Sequence, residues 1–182
     1  MALADLSAIA GYRKRGPWPP DQPADSYTFW APDDDLHGVL ATMIRSATHS
    51  LVIAMYGFAD DDLAAAVHER LDHPACYVSL TLDSSQAAGA HERSILAKNA
   101  YLSNSVAIGQ SEAHRIMHLK VAVIDSVDRV TGATNWSTAG ESLQDNELTV
   151  VRDRVLAADA RATILLLLDW AQLVTIAVAY TD

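Results

Sequence analysis

The stretch from His114 to Val151, HRIMHLKVAVIDSVDRVTGATNWSTAGESLQDNELTVV, decides the fold. Leu119 to Ile124 is apolar and rich in β-branched residues, so His118–Ile124 is read as a strand ending at Asp125. Ser126–Asp128 then turns the chain into Arg129–Thr131, a second strand. Side chains two apart on a strand share a face, which projects His118 and Lys120 together, about 6.6 Å apart, close enough to address one phosphate-sized anion. Asp125 has the opposite parity and sits at the strand end, where it fixes the turn or a neighbouring side chain.

Upstream, Leu51–Phe58 (LVIAMYGF) is too short for a helix and reads as a buried strand, and Tyr77–Leu82 reads as another, ending at Asp83. Helices fall between them. Asp33, Asp34 and Asp35 precede Leu36, Val39, Leu40, Met43 and Ile44 at helical spacing, and Asp60, Asp61 and Asp62 open a helix carrying Leu63, Val67 and Leu71. Acids at a helix start satisfy free N–H groups and the macrodipole. Gln86–Ala100 is also read as helical. This alternation implies an α/β protein, a mixed β-sheet flanked by helices on both faces. The whole pattern is not repeated within the chain.

Four prolines in PWPPDQP (Pro17–Pro23) break any regular element, so residues 1–26 are read as an N-terminal arm and 27–182 as the domain. Trp18 and Trp30 are assigned to packing that arm onto the domain. Ile164–Tyr180 is largely apolar but shorter than the roughly 20 residues that span a bilayer, and is read as a buried helix or interface segment. Asp5 interrupts the start and Arg13, Lys14 and Arg15 come late, so no signal peptide is read and a cytoplasmic location is expected.

Half the 182 residues are hydrophobic and 20% are charged, which excludes disorder for the bulk of the chain. One cysteine, Cys76, excludes an internal disulfide and a finger-type zinc site. The formal charge of −10 opposes long-range attraction to nucleic acid, leaving only a local basic groove built from Arg13–Arg15, Arg93, Lys98, Arg115, Lys120 and Arg129. His114 and His118 have the spacing of paired metal ligands on a helix. No glutamate stands between them, however, and on a strand they would be about 13 Å apart, so no metal and no cofactor is expected here.

The spacing His118-x-Lys120-x4-Asp125, followed by Gly132-x-x-Asn135 and Asn146-Glu147, resembles the HKD motif of the phospholipase D superfamily. From about Asp33 to Trp170 the order of elements is similar to that of the compact bacterial nucleases of that superfamily. The resemblance implies a phospholipase D-like fold, one domain per chain, and a metal-independent phosphodiesterase with a phosphohistidine intermediate. It implies His118 as nucleophile, Lys120 and Asn135 holding phosphoryl oxygens, and Glu147 orienting an imidazole, with Asp125 completing the motif. Arg115, Thr134 and Trp136 join Lys120 and Asn135 as candidate substrate contacts, with core packing the equal alternative for Trp136. Imidazole chemistry suits these roles, because the neutral ring is a nucleophile and the protonated ring an acid near physiological pH.

The chemistry needs two histidines and the chain carries one motif, so the resemblance implies a homodimer with a composite site on its two-fold axis. Nucleic acid is the leading substrate; a phospholipid or small phosphodiester is the alternative. Ala133 stands where the family commonly has serine, removing a hydroxyl and admitting a third reading, a non-catalytic binding member. Thr134 has the next hydroxyl, on the opposite face of a strand. Glu141 competes with Glu147 for the orienting role, which is assigned to Glu147 by its family position. His37, His49, His68, His73 and His91 lack partners at recognisable spacings and are read as structural or solvated.

Overall fold

A computed structural model describes residues 3–87, 106–109 and 115–179 of the chain. Its elements run α1 (Ser7–Ala10), β1 (Ser26–Ala31), α2 (Leu36–Ser46), β2 (Ser50–Met55), α3 (Asp61–Leu71), β3 (Tyr77–Asp83), α4 (Ser84–Ala87) and β4 (Val106–Gly109). They continue with β5 (Lys120–Ile124), β6 (Asp128–Gly132), α5 (Thr138–Ser142), β7 (Asn146–Arg152) and α6 (Arg154–Ala179). Among the described residues seven strands form one mixed sheet in the order β1-β7-β6-β5-β2-β3-β4. β2, β3 and β4 are parallel, and β2-β5-β6-β7-β1 are antiparallel neighbours.

The acidic triplets act at helix starts. Asp35 accepts the Gly38 N–H and caps α2; Asp60 accepts the Leu63 N–H and caps α3. Leu36, Val39, Leu40, Met43 and Ile44 form the buried stripe of α2. The helices lie on opposite faces of the sheet, and β2 shows it most clearly because all six of its residues are buried. Leu51, Ile53 and Met55 join the core under α2 and α3, whereas Val52 and Ala54 pack with Met117, Val123, Ala157 and Ile164 under α6. A strand dry on both faces reads as a continuous apolar run, which is how LVIAMYGF reads.

The boundaries moved in informative ways. β2 stops at Met55, because Tyr56–Phe58 leaves the ladder to meet another segment: Phe58 bridges Trp136, and Trp136 N–H donates to Gly57 O at 2.9 Å. β5 starts at Lys120 rather than His118, although the Tyr56 N–H still donates to Leu119 O at 2.8 Å. Of the Gln86–Ala100 helix, residues 88–100 lie outside the described residues. Residues of the 1–26 arm contribute to the main core: Leu6 and Ile9 are fully buried, and Trp18 packs edge-on against Tyr27 and Phe29. Among the described residues no helix is long and apolar enough to cross a membrane.

β5 and β6 are joined by a tight hairpin in which Asp125 and Ser126 have φ of 52° and 55° and the Val127 N–H donates to Ile124 O at 3.0 Å. Two consecutive left-handed residues give the turn the twist that antiparallel strands need, and aspartate tolerates that conformation. The Asp125 carboxylate accepts from the backbone N–H groups of Thr48, His49 and Ser50 and from the Thr48 hydroxyl, at 2.7–3.1 Å. It thereby fastens the α2–β2 connection to the hairpin. Burial pushes its pKa up, but the donors at Ser50, His49 and Thr48 outweigh burial and hold the carboxyl below its ordinary value.

A carboxyl whose folded pKa is depressed stabilises the protein fully above its unfolded pKa, and that stabilisation is lost as pH falls through the folded pKa. Asp125→Ala should therefore lose about 2–4 kcal/mol in urea unfolding at pH 7. The gap to wild type should narrow once pH drops below about 4. A gap independent of pH would show that the carboxylate's charge is not what fastens the loop.

Candidate active site

Lys120 opens β5 opposite Met55, at the end of the ladder where β2 gives way to Tyr56 and Gly57. Its side chain is buried on the α2 face, in the same alternation as Ala122 and Ile124. The ammonium donates to the His118 carbonyl at 3.2 Å and lies 5.0 Å from the centre of the Tyr56 ring. Among the described residues no carboxylate pairs with it. Burial pushes its pKa below the ordinary lysine value. A desolvated cation whose partners are one carbonyl and a ring face is electrostatically suited to an incoming anion.

His118 lies just outside the strand and is exposed, its ring packed against Tyr56 with centroids 4.6 Å apart. The Tyr56 hydroxyl accepts from Gln86 at 3.1 Å. Tyr56 therefore contacts both members of the His-x-Lys pair. Beside it, Gly57 admits Asn135: a Cβ at Gly57 would come within 3.0–3.3 Å of the Asn135 side chain. The Asn135 Oδ1 is buried and makes no hydrogen bond with a described residue. His118, Lys120 and Asn135 thus stand at one end of the sheet, around Tyr56 and Gly57.

The other candidates are placed differently. Glu147 is half-buried at the start of β7, opposite Trp30, and its main-chain oxygen accepts from the Ala133 N–H and the Thr134 hydroxyl. Leu148 and Val150 face the α2 core, so alternation turns the Glu147 side chain to the opposite face from Lys120. The close approach of these strands requires Gly132, where a Cβ would lie 2.2 Å from Glu147 O. Asp125 is at the far end of β5, holding the loop described above. Two expectations are corrected. Thr134 is buried with its hydroxyl spent on Glu147 O, and Trp136 is buried in the core against Phe58; neither faces an open surface. Arg115 is exposed, and His114 lies outside the described residues.

Sequence spacing missed one constellation. His37 in the first turn of α2, Asp60 and Glu141 of α5 converge, with His37 Nδ1 at 2.7 Å from Glu141 Oε2 and 3.6 Å from Asp60 Oδ2. His37 therefore has partners, which its sequence neighbourhood did not reveal because Glu141 is 104 residues away. Glu141 is engaged with His37, not set beside His118. Burial opposes a charged His37 ring, but the Glu141 hydrogen bond and the charges of Asp60, Glu141 and Asp62 raise its pKa overall. Burial raises the Glu141 pKa to about 7, against the lowering effect of His37.

A family model described as "Cardiolipin synthase, PLD-like domain" matches residues 40–165. No curated protein matches the chain. Similar solved structures include a phospholipase D family member, Nuc, from Salmonella typhimurium, with TM-score 0.65 and 19% identity over 76% of this chain and 94% of that one. NucT from Helicobacter pylori aligns with TM-score 0.67 and 21% identity, covering 79% of this chain and 95% of that one. Phosphatidylserine synthase from Haemophilus influenzae Rd KW20 aligns with TM-score 0.60 and 14% identity, over 77% of this chain and 38% of that one. At these identities the shared property is the fold.

The environment of Lys120 makes a stability prediction. Lys120→Met should leave the protein as stable as wild type or more stable by about 1–2 kcal/mol, because it removes a buried charge with no counter-ion among the described residues. Inorganic phosphate should raise the melting temperature of wild type and not of the variant, against sodium chloride at matched ionic strength. Equal protection of both proteins would remove Lys120 as the anion's partner.

Proposed function

The chain belongs to the phospholipase D-like family, and on that premise we propose that it is a phosphodiesterase, acting as a homodimeric endonuclease on nucleic acid. The observation that carries this reading is the buried Lys120 ammonium, with no carboxylate partner among the described residues, beside the exposed His118 ring. The near-complete span of the compact Nuc and NucT chains supports a single-domain enzyme of that size.

In this mechanism His118 attacks phosphorus as the neutral imidazole, forming a P–N bond as the P–O bond to the leaving group breaks. The second histidine, His118 of the other subunit, protonates the departing oxygen and then takes a proton from the water that hydrolyses the phosphohistidine. Lys120 and Asn135 stabilise charge growing on the non-bridging oxygens; both are held in place before substrate arrives, so little reorganisation is needed. Tyr56 keeps the His118 ring and the Lys120 ammonium in fixed relation. Asp125 contributes by fastening the strand that presents Lys120. With Ala133 in place of a hydroxyl donor, Lys120 and Asn135 carry more of the phosphoryl stabilisation.

A phospholipid headgroup is the second reading, favoured by Ile116 and Leu119, which flank His118 with 54% and 37% exposure. The chemistry would be the same; an apolar rim suits acyl chains better than a polyanion.

Nicking of a plasmid in the presence of chelator should fall at least about a thousandfold in His118→Ala and about a hundredfold or more in Lys120→Ala. After equimolar wild-type and His118→Ala chains are unfolded together and refolded, a composite site leaves roughly a quarter of the wild-type rate rather than roughly half. Release of headgroup from phosphatidylcholine without plasmid nicking would favour the lipid reading. Turnover of neither substrate, with binding retained, would favour a non-catalytic member.

A further inference from the structure

The His37, Asp60 and Glu141 cluster has no part in the proposed phosphodiester chemistry. Each residue comes from a different helix start or short helix, and one ligand atom from each lies within 4.8 Å of the others. The Asp60 Oδ1 is committed to capping α3, which leaves Oδ2 facing His37. The Glu141 side chain is 1% exposed; its Oε2 meets His37 Nδ1 while its Oε1 is buried with no hydrogen-bond partner among the described residues. Among the described residues no lysine or arginine pairs with Asp60 or Glu141. One imidazole nitrogen is therefore asked to serve two carboxylates and leaves a buried oxygen unserved, an arrangement that a divalent cation would satisfy at once.

We propose that His37 Nδ1, Asp60 Oδ2 and the Glu141 carboxylate form a structural binding site for a borderline divalent metal of the zinc class, with water completing the shell. One imidazole with two carboxylates suits such an ion better than magnesium or calcium, which prefer oxygen alone. Coordination through Nδ1 places the ring proton on Nε2, and Asp62 Oδ2 stands 4.0 Å from Nε2 on that side of the ring. That separation is beyond a hydrogen bond, so Asp62 acts on the ring proton only as a nearby negative charge. The ion joins the starts of α2 and α3 to α5, and the segments leading into α3 and α5 carry Gly57 and Asn135. Its role is to brace these segments; no reaction step passes through it.

The test is titration of metal-stripped full-length protein with Zn2+ against a chromophoric chelator, with bound metal counted by mass spectrometry. One ion per chain is expected. At free Zn2+ about a hundredfold above the dissociation constant the melting temperature should rise by roughly 5–10 °C, with no rise in Mg2+. His37→Ala and Glu141→Gln should each weaken binding by at least about tenfold. Asp60→Asn should also weaken it while keeping the α3 cap, since asparagine caps as well as aspartate, so loss of fold cannot explain the result. Should the variants fail to fold, X-ray absorption of Co2+-loaded wild type decides, and a shell of oxygens with one imidazole nitrogen is expected. Absence of stoichiometric binding, unchanged affinity in folded variants, or a shell with sulfur or several imidazoles would overturn the proposal.

Discussion

Where β2 meets β5, Leu51 stands opposite Ile124 and Met55 opposite Lys120, and both faces of β2 are dry. A slip of one residue would exchange Leu51, Ile53 and Met55 for Val52 and Ala54 across two cores of different shape, so side-chain volume enforces the register. Asp125 fastens one end of this pairing and the Tyr56–Leu119 hydrogen bond continues it at the other. The position of Lys120 relative to Tyr56, and hence to His118, follows from that register. So does the place of Asn135, through the crossing of Tyr56–Phe58 with the segment around Trp136.

Much of this architecture was legible along the chain because it rests on local signals. The run LVIAMYGF announces a doubly buried strand, the acidic triplets announce helix starts, and His118 and Lys120 share a parity. What escaped depends on pairings between distant segments. Whether Thr134 faces ligand or backbone is settled by Glu147, thirteen positions on, whose carbonyl takes its hydroxyl. Trp136 follows Asn135 directly and yet goes inward, because Phe58, in the segment after β2, supplies its packing surface. The Glu147 side chain is turned outward by Leu148 and Val150, which claim the core face. His37 and Glu141, far apart in sequence, carry no periodic signature at all.

The charge balance has a local counterpart. A chain with a formal charge of −10 does not draw polyanions from a distance, so the proposed site would rely on the quality of a few donors rather than on a broad field. In the proposed reaction Lys120 is suited to that task because it is desolvated: loss of water strengthens its attraction for a phosphoryl oxygen at contact. The apolar residues around it, Met55 above all, keep the local dielectric low.

Arg152 forks onto Asp128 through Nε and Nη2, at 2.7 and 2.8 Å, and also donates to the carbonyls of Leu3 and Ala4. Asp128 pairs with Ile124, at the opposite pole of β5 from Lys120. A polypeptide joined ahead of Leu3 would thus start from the end of β5 remote from Lys120. For immobilisation on a bead or fusion to a reporter, attachment there keeps clear of the proposed site at His118 and Lys120.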